Sequence, residues 1–202
     1  MMTLIYSTTS PFARKVLITA MELGLRDQIT LEIAHPLRNA EQVSDANPLG
    51  KVPCLLTDAG QMVVNSPVIC QFLQRMAPAG PELHDPSYMD IDTVERVQAL
   101  ADGLIDLTIG RRIEMQRDAD KQWDFWSERW ERGIRRTLDA LYADRGQYER
   151  SVDLGALSVA IALYYLDLRY PELDWRGQYP ELGEFAARWD QRASFEQTRP
   201  PQ

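Results

Sequence analysis

Two serines, Ser10 and Ser66, each precede a proline where the pattern of apolar residues predicts the start of a helix. Serine is a favoured helix N-cap and proline is favoured at the first helical position, so each pair indicates a helix N-terminus. A hydroxyl there can donate a hydrogen bond to an anion, and the helix end adds a partial positive charge of about half a unit. Both serines are therefore candidate anion sites, although either can instead act only as a cap. Thr9 and Ser7 are close enough to Ser10 to compete for its role.

The elements around these serines predict an α/β domain. Residues 3–6 and 29–33 have the composition of short strands and flank the helix that begins at Ser10, which makes a βαβ unit. Residues 52–56 and 61–64 predict a hairpin, and the helix that begins at Ser66 follows it. Pro53 fits the first position of its strand, because proline cannot donate to a strand ladder. The predicted order is βαβ followed by ββα.

The rest of the chain predicts helices only. Apolar residues recur at three and four positions after about residue 88, and residues 154–166 are apolar on nearly every face, as in the central helix of a bundle. That run is too short to span a bilayer. A Pro- and Gly-rich stretch separates the two parts. We predict a first domain over 1–77, a linker over 78–87 and an all-helical domain over 88–202.

Charge and composition exclude several classes of function. The 202 residues include 22 Lys and Arg against 30 Asp and Glu, a net charge of -8 with no basic stripe, which argues against a nucleic-acid partner. The first eighty residues are neutral, so the acidity belongs to the remainder. Cys54 and Cys70 lack the spacing of metal ligands, so no metal site is expected. The N-terminus has no basic segment before an apolar stretch, which favours a cytoplasmic protein without a membrane partner.

Three segments carry a resemblance to a known family. They are SPFARKV at residues 10–16, NPLGKVP at 47–53 and NSPVI at 65–69. In this order and at these spacings, the chain resembles the glutathione S-transferase family over its whole length, and in particular its small bacterial members with a Ser-Pro-Phe segment. The resemblance implies an α/β N-terminal thioredoxin-like domain (βαβ-ββα) followed by an all-α C-terminal helical bundle. It also implies glutathione as co-substrate and a homodimer.

The resemblance implies a role for each segment. A glutathione thiol has an unperturbed pKa of about 8.5, so an enzyme must stabilise its thiolate at neutral pH. Ser10 would contact the sulfur, with Thr9 as the alternative. A cis bond between Val52 and Pro53 would leave the Val52 backbone to pair with the cysteinyl unit. Ser66 and the N-terminus of its helix would receive the γ-glutamyl carboxylate.

Four further residues complete the implied glutathione site. Asn65 stands where the family usually has Glu or Gln, so a neutral amide replaces the commoner acid near the ligand ammonium. Asp102 of the partner subunit is a candidate to compensate. Lys51, two residues before Pro53, is the better placed candidate for the glycyl carboxylate, and Arg38 is the other; either can instead be an ordinary solvated charge.

The expected function is therefore a glutathione transferase that activates the thiol for attack on a small apolar electrophile, as in detoxification. The helical domain would line the electrophile pocket and the dimer interface, and its acidity disfavours strongly anionic electrophiles. A glutathione-dependent disulfide reductase or peroxidase is the first alternative, although the absence of a cysteine at residue 10 argues against a mixed disulfide with the protein. A noncatalytic regulator with the same fold is the second.

Overall fold

The structure is a computed structural model that describes residues 1–77, 83 and 91–201. It contains two compact units, one formed by Met1–His84 with Gln191–Gln202 and the other by Asp85–Asp190. The predicted linker, 78–87, lies outside the described residues apart from Leu83. The predicted helical domain ran to residue 202, whereas the structure groups the last twelve residues with the first unit.

A four-stranded sheet forms the centre of the first unit. Its strands are β1 (Met2–Tyr6), β2 (Ile29–Ile33), β3 (Cys54–Leu56) and β4 (Met62–Val64), in the order β2-β1-β3-β4. β1 is parallel to β2 and antiparallel to β3, and β3 is antiparallel to β4. The parallel pair and the hairpin are those that the sequence predicts. Pro53 lies immediately before β3, at a position where it breaks no ladder bond.

Three helices accompany this sheet in the first unit. They are α1 (Pro11–Glu22), α2 (Ala40–Ala46) and α3 (Ser66–Met76). α1 packs against α3, where the Thr19 hydroxyl donates to Cys70 Sγ at 3.3 Å. α2 was not predicted, because Val43 is its one buried residue and a single apolar position shows no periodicity. Val43 packs with Ile5, Ala34 and Cys54, and its burial contributes about 1.5–3 kcal/mol.

The second unit is helical. It contains α4 (Ile91–Met115), α5 (Asp124–Ala143), α6 (Leu154–Arg169), α7 (Trp175–Gln178) and α8 (Pro180–Asp190). As predicted, α6 is buried on all sides over its first ten residues and packs against α4. Asp153 caps it, since its Oδ1 accepts the Ala156 N–H at 2.8 Å. In the part of the chain that the structure describes, no helix combines the length and apolar character that crossing a membrane requires. The predicted fold class, a thioredoxin-like α/β part and a helical part, is confirmed.

A short last helix, α9 (Ala193–Gln197), returns to the first unit and packs on α1. Glu22 at the end of α1 accepts hydrogen bonds from Arg192 at 2.6 Å and from Ser194 at 2.5 Å. At the start of α1, the Arg14 guanidinium donates to the Phe195 carbonyl oxygen at 2.9 Å. These bonds hold the C-terminal segment along α1.

Candidate functional site

The strand register brings the candidate residues to one edge of the sheet. Ile5 near the end of β1 lies opposite Cys54 at the start of β3, and Cys54 lies opposite Val64 at the end of β4. The segments that follow β1, precede β3 and follow β4 therefore meet at this edge. They carry Ser10, the pair Val52-Pro53 and the pair Asn65-Ser66. The loop after β2, which contains Arg38, leaves the sheet at the same edge because β2 is parallel to β1.

Ser10 is the N-cap of α1, with extended backbone angles. Its Oγ accepts the Ala13 N–H at 3.2 Å, and its own N–H donates to the Ser7 carbonyl at 3.0 Å. An oxygen that accepts one bond still carries a hydroxyl hydrogen to donate. Capping and donation to an anion are therefore compatible at this residue.

A cavity of about 290 Å³ begins beside Ser10. Ser7, Thr8 and Ser10 line it, while Thr9 is not among the described residues that do. Ser7 is buried and Thr9 is half-buried in the turn. Ser10 lines this cavity and Thr9 does not, and the assignment of the thiol-facing group to Ser10 stays a prediction.

The loop before β3 is held by Asn47, which the sequence reasoning did not assign. Asn47 is 1% exposed; its Nδ2 donates to the Lys51 carbonyl at 2.7 Å and its Oδ1 accepts the Leu49 N–H at 3.0 Å. The peptide bond between Val52 and Pro53 is cis, as the resemblance implies. In the sequence, the Asn-Pro pair at the start of this segment was the feature that could have indicated a structural role for Asn47. The two hydrogen bonds of Asn47 hold the loop that carries the Val52 backbone.

Ser66 is the first residue of α3, and Asn65 is the N-cap. The alternative in which Ser66 acts as the cap is therefore wrong. Asn65 has φ 72° and ψ 122°, which lies outside the left-handed helical region and is strained for a residue other than glycine, and its side chain makes no cap hydrogen bond. Ser66 is 2% exposed, and its Oγ has no hydrogen-bond partner among the described residues. A buried hydroxyl without a partner costs free energy unless a ligand satisfies it.

The three charged candidates differ in their surroundings. Lys51 and Arg38 are exposed, Lys51 beside Val52 and Arg38 in the loop after β2. Asp102 is half-buried on α4, in the second unit, so its assignment to the glutathione of a partner subunit stays a prediction.

The cysteines supply no nucleophile. Cys54 and Cys70 are both buried, and Cys54 Sγ donates to the Ala46 carbonyl at 3.3 Å. Burial raises the pKa of the Cys54 thiol, so it stays protonated at neutral pH. Nowhere in the described ranges do three or more His, Cys, Asp or Glu side chains gather in a way that could hold a metal ion.

Comparison with known proteins agrees with this geometry. A family model described as glutathione S-transferase, N-terminal domain, matches residues 9–76. The uncharacterized GST-like protein YibF of Escherichia coli (strain K12) is 33% identical over 204 residues, which is 99% of each chain. A glutathione transferase family member from Pseudomonas fluorescens Pf-5, solved with bound glutathione, is 33% identical with a TM-score of 0.95 over 100% of each chain.

A second solved structure has the same fold over its whole length. A glutathione S-transferase from Methylobacillus flagellatus KT, solved with glutathione bound, is 34% identical with a TM-score of 0.89 over 100% of each chain. These likenesses extend over both units and do not stop at the sheet. The chain belongs to the glutathione S-transferase family.

Proposed function

We propose that the chain binds glutathione at the sheet edge described above and activates its thiol for attack on a small electrophile. The observation that carries this proposal is the buried Ser66 hydroxyl, which lacks a partner among the described residues at the N-terminus of α3. A carboxylate placed there would accept from the hydroxyl and from the unpaired amides of the helix end. The relatives solved with glutathione support the identity of that ligand.

Each part of glutathione has a proposed partner. Ser66 receives the γ-glutamyl carboxylate, and the Val52 backbone pairs with the cysteinyl unit in the manner of an added strand. Lys51 and Arg38 are the proposed partners of the glycyl carboxylate, since both are exposed at this edge. Asn65 of the same chain, together with Asp102 of the partner subunit, is proposed to face the ligand ammonium. This last assignment requires the homodimer that the family resemblance implies.

The proposed chemistry begins with the thiol of bound glutathione. Ser10 donates its hydroxyl hydrogen to the sulfur, and the N-terminus of α1 adds its partial positive charge, so the thiolate is favoured at neutral pH. The thiolate attacks the electrophilic carbon, a C–S bond forms and the leaving group departs with its electron pair. The thiol proton goes to solvent. No protein residue is covalently modified in this scheme.

Calorimetry and a conjugation assay test the proposal. We expect glutathione to bind with measurable heat and to raise Tm, and we expect turnover of 1-chloro-2,4-dinitrobenzene with glutathione. Turnover of a disulfide substrate without conjugation would instead favour the reductase. The absence of both heat and a thermal shift at millimolar glutathione would favour a noncatalytic regulator and contradict the proposal.

A further inference from the structure

The C-terminal segment, residues 191–201, is attached to α1 at two places. One attachment is at Glu22, in the last turn of the helix, and the other is at Arg14, one turn after Ser10. The helical rise puts Arg14 and Glu22 about 12 Å apart along the axis. One attachment can therefore be disturbed without removing the other.

At the first attachment, the Arg14 side chain contacts three groups of the segment. This side chain belongs to a residue that is 4% exposed. Its Nη2 donates to the Phe195 carbonyl oxygen at 2.9 Å, and its guanidinium carbon lies 4.9 Å from the centroid of the Phe195 ring. Its Nε donates to Thr198 Oγ1 at 3.2 Å, and the Thr198 hydroxyl in turn donates to the Ser194 carbonyl at 2.7 Å. A cation is favourable beside the carbonyl groups at the end of a helix, so Arg14 and α9 stabilise one another.

The backbone of Arg14 belongs to the turn that holds Ser10. The Arg14 N–H donates to the Ser10 carbonyl at 3.0 Å, and the Ala13 N–H donates to Ser10 Oγ at 3.2 Å. Ser10, Arg14 and Thr198 also line the same cavity. Groups that activate a ligand must be held to within about 0.5 Å, and hydrogen bonds behind the contacting residue provide much of that support. Arg14 connects such a support, in the C-terminal segment, to Ser10.

We propose that Thr198 is a positioning residue for Ser10, that it acts through Arg14, and that thiol activation at the start of α1 therefore depends on the C-terminal segment. The inference rests on the proposed function, because it assigns the thiolate of glutathione to Ser10 and the N-terminus of α1. The partial charge of a helix N-terminus acts over its first turn, so a displacement of that turn weakens the charge felt at the sulfur. The attachment at Glu22, at the opposite end of the helix, has no such effect.

Removing the Thr198 hydroxyl tests the proposal at constant side-chain shape. Thr198→Val deprives Arg14 Nε of this acceptor, and we expect the pKa of the thiol of bound glutathione to rise by about half a pH unit. The rise should be smaller than the one that loss of the Ser10 hydroxyl causes, because Ser10 still faces the sulfur. Thr198→Ser keeps the hydroxyl and should keep the pKa of the unmodified protein. The ultraviolet absorbance of the thiolate measures this pKa as the pH is raised.

Ser194→Ala is the matched control at the second attachment. It removes the hydrogen bond of 2.5 Å to Glu22 Oε1 and leaves the carbonyl that accepts from Thr198. Ser194→Ala and Thr198→Val should both lower Tm, because each loosens the same segment, but Ser194→Ala should leave the thiol pKa unchanged. An unchanged pKa in Thr198→Val, an equal rise in both variants, or a rise in Thr198→Ser would overturn the inference.

Amide hydrogen exchange without glutathione separates this inference from the proposed function. Thr198→Val should speed exchange at the Ala13 and Arg14 amides by about two- to tenfold relative to the Leu23 amide at the end of α1, as for the loss of one hydrogen bond. Ser194→Ala should give the reverse pattern. This result without any binding of glutathione would contradict the proposed function and support the link from Thr198 to Ser10. Unchanged exchange at Ala13 and Arg14 in Thr198→Val would refute that link, whether or not glutathione binds.

Discussion

Removing the Ser66 hydroxyl should separate fold stability from glutathione affinity. Most buried polar groups have a hydrogen-bond partner, and deleting such a group lowers the free energy of unfolding. Ser66 Oγ is buried at the start of α3 with no partner among the described residues. Ser66→Ala therefore removes a desolvated group whose burial costs about 1–3 kcal/mol, at the loss of very little packing. We expect the free energy of unfolding to stay level or to rise, by up to about 3 kcal/mol.

The same change should weaken the binding of glutathione. A hydroxyl that donates to a carboxylate contributes about 1.5–3 kcal/mol, which corresponds to an increase in Kd of about ten- to a hundredfold. Urea denaturation without ligand measures the first quantity, and calorimetric titration with glutathione measures the second. Ser158→Ala is a matched control, because Ser158 is also fully buried, on α6, and its Oγ also lacks a partner among the described residues. It should resemble Ser66→Ala in stability and the unmodified protein in affinity.

Two results would refute this reasoning. A marked loss of stability in Ser66→Ala would mean that the hydroxyl has a partner in the protein itself. An unchanged glutathione Kd would mean that the γ-glutamyl carboxylate binds elsewhere, which would remove the main support for the proposed site.

Two other side chains give predictions of a different kind. Asn47→Ala removes two part-buried hydrogen bonds to the backbone, so we expect a loss of about 1–3 kcal/mol of stability by urea denaturation and weaker glutathione binding by calorimetry. For Glu22, burial raises the pKa, but hydrogen bonds from Arg192 and Ser194 and the charge of Arg192 outweigh it, and the pKa is lowered overall. A lowered pKa stabilises the fold above the unfolded value of about 4.3, and this stability is lost as the pH falls through the folded pKa. Glu22→Gln should therefore lower the free energy of unfolding by about 1 kcal/mol at pH 7, a figure reduced because Arg192 is partly exposed. At a pH below the folded pKa of Glu22, the substitution should leave the free energy of unfolding unchanged. An equal loss at both pH values in denaturation curves would contradict the ion pair.

The sequence was most informative where local rules are strong. The Ser-Pro pair at residue 10 placed the start of α1 correctly, because capping and the fixed φ of proline act within one turn. The hairpin of β3 and β4 followed from short apolar runs on either side of a turn. The sequence also placed Ser66 at the start of α3, but it did not show that Ser66 is the first residue of the helix and that Asn65 is the cap. The difference is one residue, which is the usual uncertainty of a helix boundary.

Other features depend on contacts between residues that are distant in the chain. Arg14 reaches Phe195, 181 residues away, and no pattern near Arg14 indicates that the C-terminal segment returns to α1. The returning segment also supplies part of the lining of the cavity beside Ser10. The unsatisfied Ser66 hydroxyl is likewise invisible in the sequence, since it depends on which groups surround a buried atom.

The most direct test of the account is the pKa of the thiol of bound glutathione, followed by the ultraviolet absorbance of the thiolate as the pH is raised. We predict a value in the unmodified protein below the unperturbed value of about 8.5. Loss of a hydrogen bond worth about 1.5–3 kcal/mol should raise it by about one to two pH units in Ser10→Ala. Ser10→Asp keeps a helix cap but places a carboxylate beside the sulfur, so it should also raise this pKa while retaining more of the stability than Ser10→Ala. An unchanged pKa in Ser10→Ala, together with a raised one in Thr9→Ala, would contradict the role assigned to Ser10.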